Sequence, residues 1–497
     1  MSLRVYNTLT REKEPFQPVT PGKVKIYVCG MTVYKPPHIG HLVGPVIFDS
    51  IKRYLVHRGF EVTWVVNITD VDDKLIEKAK EVGTSVEALA EKNTREYMEV
   101  LKAYGVTGID HFPKASQYMG EIIALTQKLV EKGFAYAVEG NVWFDVSKDS
   151  DYGKLSHRRV EEQESGGRSL AGSGKKNAAD FSLWKAVKPG EPAWDSPWGK
   201  GRPGWHIECS AMSMKLLGET FDFHGGGMDL LFPHHENEIA QSESATGKPF
   251  AKFWMHNGLT RIKTKMSGGE WADEKMSGSI GNVVAARELI EKHGAEVMRY
   301  FLISTHYRRP IEFTDEALAN AKKGYSVFGR LLERMERLAG SPVGDGASEE
   351  IEPAYAELQQ AAAARKAKFT EMMDDDFNTA GAIAVMHELA GDINGFIERQ
   401  GLEKEKNPQH LKAAIAGAAA LRNLGKILGL FTSRTKPQAG AGENQGTVDG
   451  LMKLMLQIRA NARKNKDFAT ADAVRKGLTE IGITLEDRAD GTIWRKG

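Results

Sequence analysis

Across residues 23–29 apolar side chains alternate with polar ones, Val24, Ile26 and Val28 sharing one face, which predicts a short strand ending at Cys29. Lys35, Pro36 and Pro37 cannot continue it, so a loop follows. Over residues 40–58, Leu42, Val43, Val46, Ile47, Ile51, Tyr54 and Leu55 recur at helical spacing, and Gly59 supplies the stop. Residues 61–67 read as a second, buried strand. Strand, helix and apolar strand in that order predict a βαβ unit with its ligand at the carboxyl ends of the strands.

That unit opens a Rossmann-type parallel-sheet domain, giving an α/β fold. Residues 161–179 turn polar and rich in glycine and serine, as expected of a surface loop. Site-like residues resume at 201–210 and 221–238, so the nucleotide-binding domain is predicted in two pieces, 1–109 and 201–260, split by an insertion at 110–200. A region at 261–320 follows. Amphipathic periodicity at 318–338 and 350–400 predicts a helical bundle domain over 321–431. Pro437, Gly440, Gly442 and Gly446 mark a linker at 432–447, and 448–497 forms a small mixed C-terminal domain. Residues 451–497 carry ten Lys/Arg against six Asp/Glu, an excess that suits nucleic acid as well as it suits solvated helices.

A length of 497 residues exceeds a single core, while 41% apolar and 27% charged residues are ordinary for a soluble protein. The net charge of +1 means that a polyanion must be met by local basic patches. No signal-like or membrane-length apolar run stands in the sequence, so a cytoplasmic protein without membrane contact is expected. In such a compartment a disulfide between the two cysteines, Cys29 and Cys209, is disfavoured.

Four constellations carry chemistry. His234 and Glu238 stand four apart after Pro233, on one face of a predicted helix, and with Cys29 and Cys209 they complete a Cys₂-His-Glu group able to surround zinc. His206, His224 and His235 are alternatives to His234, and a helical His/Glu pair is also a common surface contact. Pro37-His38-Ile39-Gly40-His41 lies where strand gives way to helix, a position that attracts phosphate; Gly40 admits a nucleotide and the two histidines can donate hydrogen bonds. His224-Gly225-Gly226-Gly227-Met228-Asp229 leaves bare backbone for an adenine ring and a carboxylate for ribose hydroxyls, or is a flexible turn. Lys275-Met276-Ser277-Gly278-Ser279 could bring a lysine onto a triphosphate, or be a polar loop.

Together with the stretches YVCGMTVY (27–34), NITD (67–70), GRPGWHIECS (201–210) and FPHHENE (232–238), these motifs resemble the cysteinyl-tRNA synthetase family of class I aminoacyl-tRNA synthetases over nearly the whole chain. The resemblance implies one Zn²⁺ per chain held by Cys29, Cys209, His234 and Glu238 and binding the substrate sulfur, and Mg²⁺ with ATP. It implies His38, His41 and Lys275 as catalytic, Gly40, Gly226, Gly227, Asp229 and Lys275 at ATP, and Thr69, Trp205 and His235 near L-cysteine. tRNA(Cys) is the implied acceptor. Residues 110–200 would be a connective subdomain, 261–320 the signature-loop and stem-contact region, 321–431 a tRNA-binding bundle, and 448–497 an anticodon-recognition module. A monomer is expected, since one chain supplies all modules. A related ligase that joins cysteine to an aminosugar-inositol shares the zinc and nucleotide motifs, but the helical region and separate tail favour a tRNA acceptor. The departure is Gly278, where the family signature has its second lysine; the near-repeat Lys265-Met266-Ser267-Gly268-Gly269 precedes it.

Overall fold

The computed structural model describes residues 2–158, 174–265, 271–275, 284–344, 347–432, 442–488 and 491–496. Most of the expected 161–179 loop lies outside the described residues, as do 276–283 of the lysine-bearing loop and the side chains of Lys265 and Lys275.

A hairpin of β1 (Arg4–Asn7) and β2 (Glu12–Pro15) precedes β3 (Lys23–Val28), whose last residues, Ile26, Tyr27 and Val28, are all buried. The helix α1 (Gly40–His57) buries the predicted apolar face and stops where Gly59 turns to φ +89°. Pro45 stands inside it and, lacking an N–H, leaves the His41 carbonyl without its helical partner. β4 (Glu61–Val66) pairs parallel with β3, Val28 opposite Val66. Two capped helices follow: in α2 (Asp73–Val82) the Lys74 N–H donates to Asp72 at 2.9 Å, and in α3 (Val86–Ala103) the Ala88 N–H donates to Ser85 at 3.1 Å.

The insertion contributes α4 (Met119–Glu131) and an antiparallel sheet of β5 (Ala135–Val138), β6 (Asn141–Phe144), β7 (Phe181–Ala186) and β8 (Gly201–Pro203), in that order. β8 pairs with β7, Gly201 opposite Ala186, so this sheet runs past residue 200 into the GRPGW stretch. Then come α5 (Trp205–Leu217), β9 (Phe221–Gly227), a short π-turn at Leu231–His235, α6 (Glu236–Thr246) and β10 (Ala251–Asn257). β9 lies on the side of β3 that β4 leaves free, giving a parallel sheet in the order β10-β9-β3-β4. The chain before and after the insertion therefore completes one sheet.

β11 (Thr260–Lys265), β12 (Trp271–Lys275) and β13 (Ile311–Phe313) form a smaller sheet, around α7 (Ala286–His293) and α8 (Ala295–Ile303) in sequence. From there the chain is mainly helical: α9 (Asp315–Ala339), α10 (Ala356–Asp374), α11 (Thr379–Arg399), α12 (Pro408–Ile427), α13 (Gly442–Lys464) and α14 (Phe468–Glu480), before a hairpin of β14 (Ile483–Arg488) and β15 (Gly491–Lys496). The backbone is helical from Gly442, inside the expected linker at 432–447. No helix among the described residues is long and apolar enough to cross a membrane.

The chain forms two compact units, and they cut the helical region differently from the expected 321–431 domain. Residues 364–387 and 423–430 belong to the first unit, with 1–328. Polar contacts to α1 hold them there. The Tyr54 hydroxyl donates to Asp374 at 2.6 Å, and buried Arg299 of α8 donates to the Leu428 carbonyl at 2.8 Å and to Asp49 of α1 at 2.6 Å. In the second unit the C-terminal elements share a small core of Met452, Leu478, Ile483 and Leu485, and buried Arg459 grips both oxygens of Asp487 at 2.7 and 2.8 Å.

Candidate active site

At the carboxyl end of β3 the backbone turns sharply. Gly30 donates its N–H to the Asn67 side chain at 2.8 Å, and a Cβ there would stand 1.8 Å from the Asn67 carbonyl oxygen. This approach presents Cys29 to α5 and α6. Cys209 lies one turn into α5, and His234 and Glu238 meet across the start of α6, His234 Nε2 being 3.0 Å from Glu238 Oε1. Phe232 departs from helical dihedrals, so the helical face carrying the pair begins after it and not at the π-turn's first residue.

The Cys29 and Cys209 sulfurs are 3.8 Å apart, far beyond a disulfide bond, and Cys29 Sγ is 3.4 Å from Glu238 Oε1. One donor atom from each of Cys29, Cys209, His234 and Glu238 lies within 4.8 Å of all the others. The same holds for Cys29, His224, His235 and Glu238. The first set brings both sulfurs together, the donor chemistry that zinc prefers. Two other histidines touch it directly, His206 Nδ1 meeting His234 Nδ1 at 2.8 Å and His224 Nε2 meeting Glu238 Oε2 at 2.7 Å, while His235 Nδ1 meets His256 Nε2 at 2.8 Å outside the set. Burial alone would raise the Glu238 carboxyl, but His224 and His234 outweigh it and hold the group below the usual carboxylate range. Burial would likewise raise the Cys209 thiol; the Cys29 hydrogen bond and His234 bring it down to about 6, while burial pushes the Cys29 thiol up.

Cys29 also lines a cavity of about 290 Å³ shared with Trp205, His38, Gly40, His41, Gly226, Gly227 and Asp229. Trp205 stacks on His234, ring centroids 4.3 Å apart, so one wall joins the donor cluster to the cavity. The His38 and His41 rings stack at 3.7 Å. Burial pushes His38 down to about 4, helped by Lys35, and His41 down to about 3, helped by His38; both are neutral hydrogen-bonding groups near neutral pH. The three glycines have different jobs, and all belong to strand β9, not to a turn. A Cβ on Gly225 would strike the Phe48 ring at 2.2 Å, so that glycine serves the packing of α1, whereas Gly226 and Gly227 face the cavity.

Thr69 and His235 are buried and stand behind the described lining. The Thr69 hydroxyl accepts from Asn67 at 3.3 Å, and His235 packs against Gly226, where a Cβ would be 2.9 Å from its ring. Lys275 ends β12; its side chain is outside the described residues.

The sequence matches the family described as tRNA synthetases class I (C) catalytic domain over residues 15–323. The chain belongs to the cysteine–tRNA ligase family. It also matches a DALR domain at 368–432 and a cysteinyl-tRNA ligase anticodon binding domain at 454–495. A cysteine–tRNA ligase from Heliobacterium modesticaldum is 47% identical across 100% of both chains, and one from Pelotomaculum thermopropionicum is 45% identical over 99% of this chain and 100% of its own length. One from the more distant Thermococcus onnurineus is still 43% identical, over 100% of this chain and 99% of that protein. The fold is also that of Mycobacterium tuberculosis methionyl-tRNA synthetase in complex with methionyl-adenylate, with a TM-score of 0.60 at 17% identity over 82% of this chain and 91% of that one.

In this ligase-family chain the cavity has lining residues that the motifs did not single out, among them Lys74, Tyr97 and Asn257. Lys74 carries a sequence signal: a lysine in the first turn of a helix opposes the helix dipole.

Proposed function

We propose that this chain activates L-cysteine with ATP and transfers the cysteinyl group to the 3′-terminal adenosine of tRNA(Cys). The observation that carries the reading is one cavity lined by Cys29 of the Cys₂-His-Glu cluster, by the HIGH-type histidines His38 and His41, and by the bare backbone of β9. Cys29, Cys209, His234 and Glu238 would hold the zinc, their paired sulfurs fitting that ion. Bound there, zinc supplies a sulfur-preferring positive centre for the substrate thiolate, which forms readily from a thiol of pKa about 8.5 and not from the hydroxyl of serine.

Trp205 walls the amino-acid end. Gly226 and Gly227 leave room for the adenine, Asp229 accepts from ribose hydroxyls, and Gly40 lets the phosphate chain approach the start of α1. His38 and His41, as neutral rings, donate hydrogen bonds to phosphoryl oxygens, with Lys275 and an ATP-bound Mg²⁺ adding positive charge. Thr69 and His235 act by fixing their neighbours. Held in line, a cysteine carboxylate oxygen bonds to the α-phosphorus; the bond from phosphorus to the β-phosphate oxygen breaks, and its electron pair leaves with pyrophosphate. A terminal ribose hydroxyl of tRNA then bonds through its oxygen to the cysteinyl carbonyl carbon, giving up its proton, as the bond from that carbon to the phosphate oxygen breaks and AMP leaves. The helical region and C-terminal module serve that acceptor, the working form is a monomer, and the cytoplasm is the site of action.

Cysteine-dependent ATP–pyrophosphate exchange is expected, suppressed by zinc chelation and restored by zinc, followed by charging of matching tRNA with labelled cysteine. Zinc-loaded protein that neither exchanges pyrophosphate nor charges tRNA would overturn the reading. Gly226→Ala offers a local check. Its Cβ would press on Leu230 and the His235 ring at 2.9 Å each, shifting the nucleotide wall. A displacement of that scale is expected to raise the KM for ATP or lower exchange by on the order of 10²-fold, read from exchange kinetics at varied ATP.

A further inference from the structure

The proposed reaction presses two anions together, the cysteine carboxylate and the triphosphate of ATP, and this inference rests on that reading. The described lining of the cavity offers them little positive charge. Both HIGH-type histidines are neutral near neutral pH, and the sequence has glycine at 278. Among the described lining residues Lys74 is the one lysine or arginine.

Its placement is built. Asp72 caps α2 by accepting the Lys74 N–H. Both oxygens of Asp73 are taken, one by Lys185 at 2.6 Å and the other by buried Arg202, which also donates to Glu191 at 3.1 Å. Arg202 lies in β8, three residues before Trp205, so the first turn of α2 is tied to the strand that leads into the amino-acid wall. The Lys74 ammonium stands 5.8 Å from the centre of the Tyr34 ring, and the Lys35 ammonium 5.6 Å from the same ring. A cation in the first turn adds to the positive end of the helix dipole, which is unfavourable for the helix and favourable for an anion in front of it.

We infer that Lys74 is a catalytic residue whose ammonium faces the reacting anions, the cysteine carboxylate and the α-phosphate, as the new bond forms. The electron pair released from phosphorus goes to pyrophosphate and no proton moves. Its charge offsets the repulsion that otherwise holds the carboxylate away from phosphorus.

The test compares the zinc-loaded full chain with Lys74→Ala and Lys74→Arg in pyrophosphate exchange, in single-turnover transfer to tRNA and in thermal unfolding. Lys74→Ala is expected to lower the kcat of exchange on the order of 10²-fold at an unchanged melting midpoint, with Lys74→Arg recovering to within about tenfold and added ethylammonium restoring part of the loss in Lys74→Ala. Exchange by Lys74→Ala within about threefold of the unsubstituted chain overturns the inference, and loss confined to transfer would assign the lysine to the tRNA terminus instead. A melting midpoint that falls with no rescue by Lys74→Arg or ethylammonium overturns it too, as a structural role. If the unsubstituted chain exchanges normally, any of these failures belongs to Lys74 and leaves the function standing.

Discussion

Cys209→Ser is expected to lose the metal and, with it, on the order of 10³-fold or more of cysteine-dependent pyrophosphate exchange. Zinc held by four protein donors is worth about 10–16 kcal/mol, so each contributes roughly 3 kcal/mol, and exchanging a soft sulfur for a hydroxyl forfeits about a hundredfold in affinity or more. The loss in exchange should be larger, since a site built for one polar ligand rejects a substrate it can no longer hold. Zinc content after dialysis against a weak chelator, measured beside exchange, checks both parts. The result also decides between the two donor sets. Cys209 is absent from the set with His224 and His235, so full zinc and near-normal exchange in Cys209→Ser would move the site there.

Arg299→Met is the substitution expected to cost the first compact unit most stability without touching the cavity. The guanidinium is buried, and donates to Asp49, the Ser50 hydroxyl and the carbonyls of Tyr104 and Leu428. Burial pulls its pKa down and Asp49 opposes that shift, as expected for an ion pair removed from water. Its removal leaves a buried carboxylate with Arg53 alone and takes a donor from the carbonyls of Tyr104 and Leu428, the latter keeping the Ser50 hydroxyl. Breaking such a pair costs about 3–5 kcal/mol, and because Arg53 remains the lower end is expected. Chemical unfolding followed by tryptophan fluorescence reads this as a lower midpoint. Replacing Asp49 as well, by Leu, should return part of the loss, since the stranded charge is then gone. A midpoint unchanged in Arg299→Met would mean that water already satisfies these groups.

The βαβ opening was legible because both of its periods are local: alternation in β3, helical recurrence in α1, and Gly59 between α1 and β4. The candidate metal donors were legible as a group but not, from spacing alone, as a choice among four histidines. His206, His224, His234 and His235 all sit near the cluster, and which of them share a donor set with Cys29 and Glu238 is a matter of contacts across elements that spacing does not encode. The same limit hid the division of labour in the glycine run, where Phe48, far away in sequence, claims Gly225. It also hid the return of residues 364–387 and 423–430 to the first unit, since their helical periodicity resembles that of their neighbours. Lys74 follows the NITD stretch in a charged first turn of helix, and only the fold brings it to the cavity.

The split sheet bears on how the chain is born. Cys29 and Glu238 are 209 residues apart, which at about 5–20 residues per second puts roughly 10–40 s of synthesis between them. During that interval β3 has β4 on one side but awaits β9 on the other, leaving an open strand edge and a thiol without its companions. The connective insertion is made in the same window and can fold around its own antiparallel sheet, apart from β8, while the parallel sheet waits. A nascent chain halted before β9 should therefore be the form most prone to aggregation and to thiol oxidation, and the form a chaperone has most reason to hold.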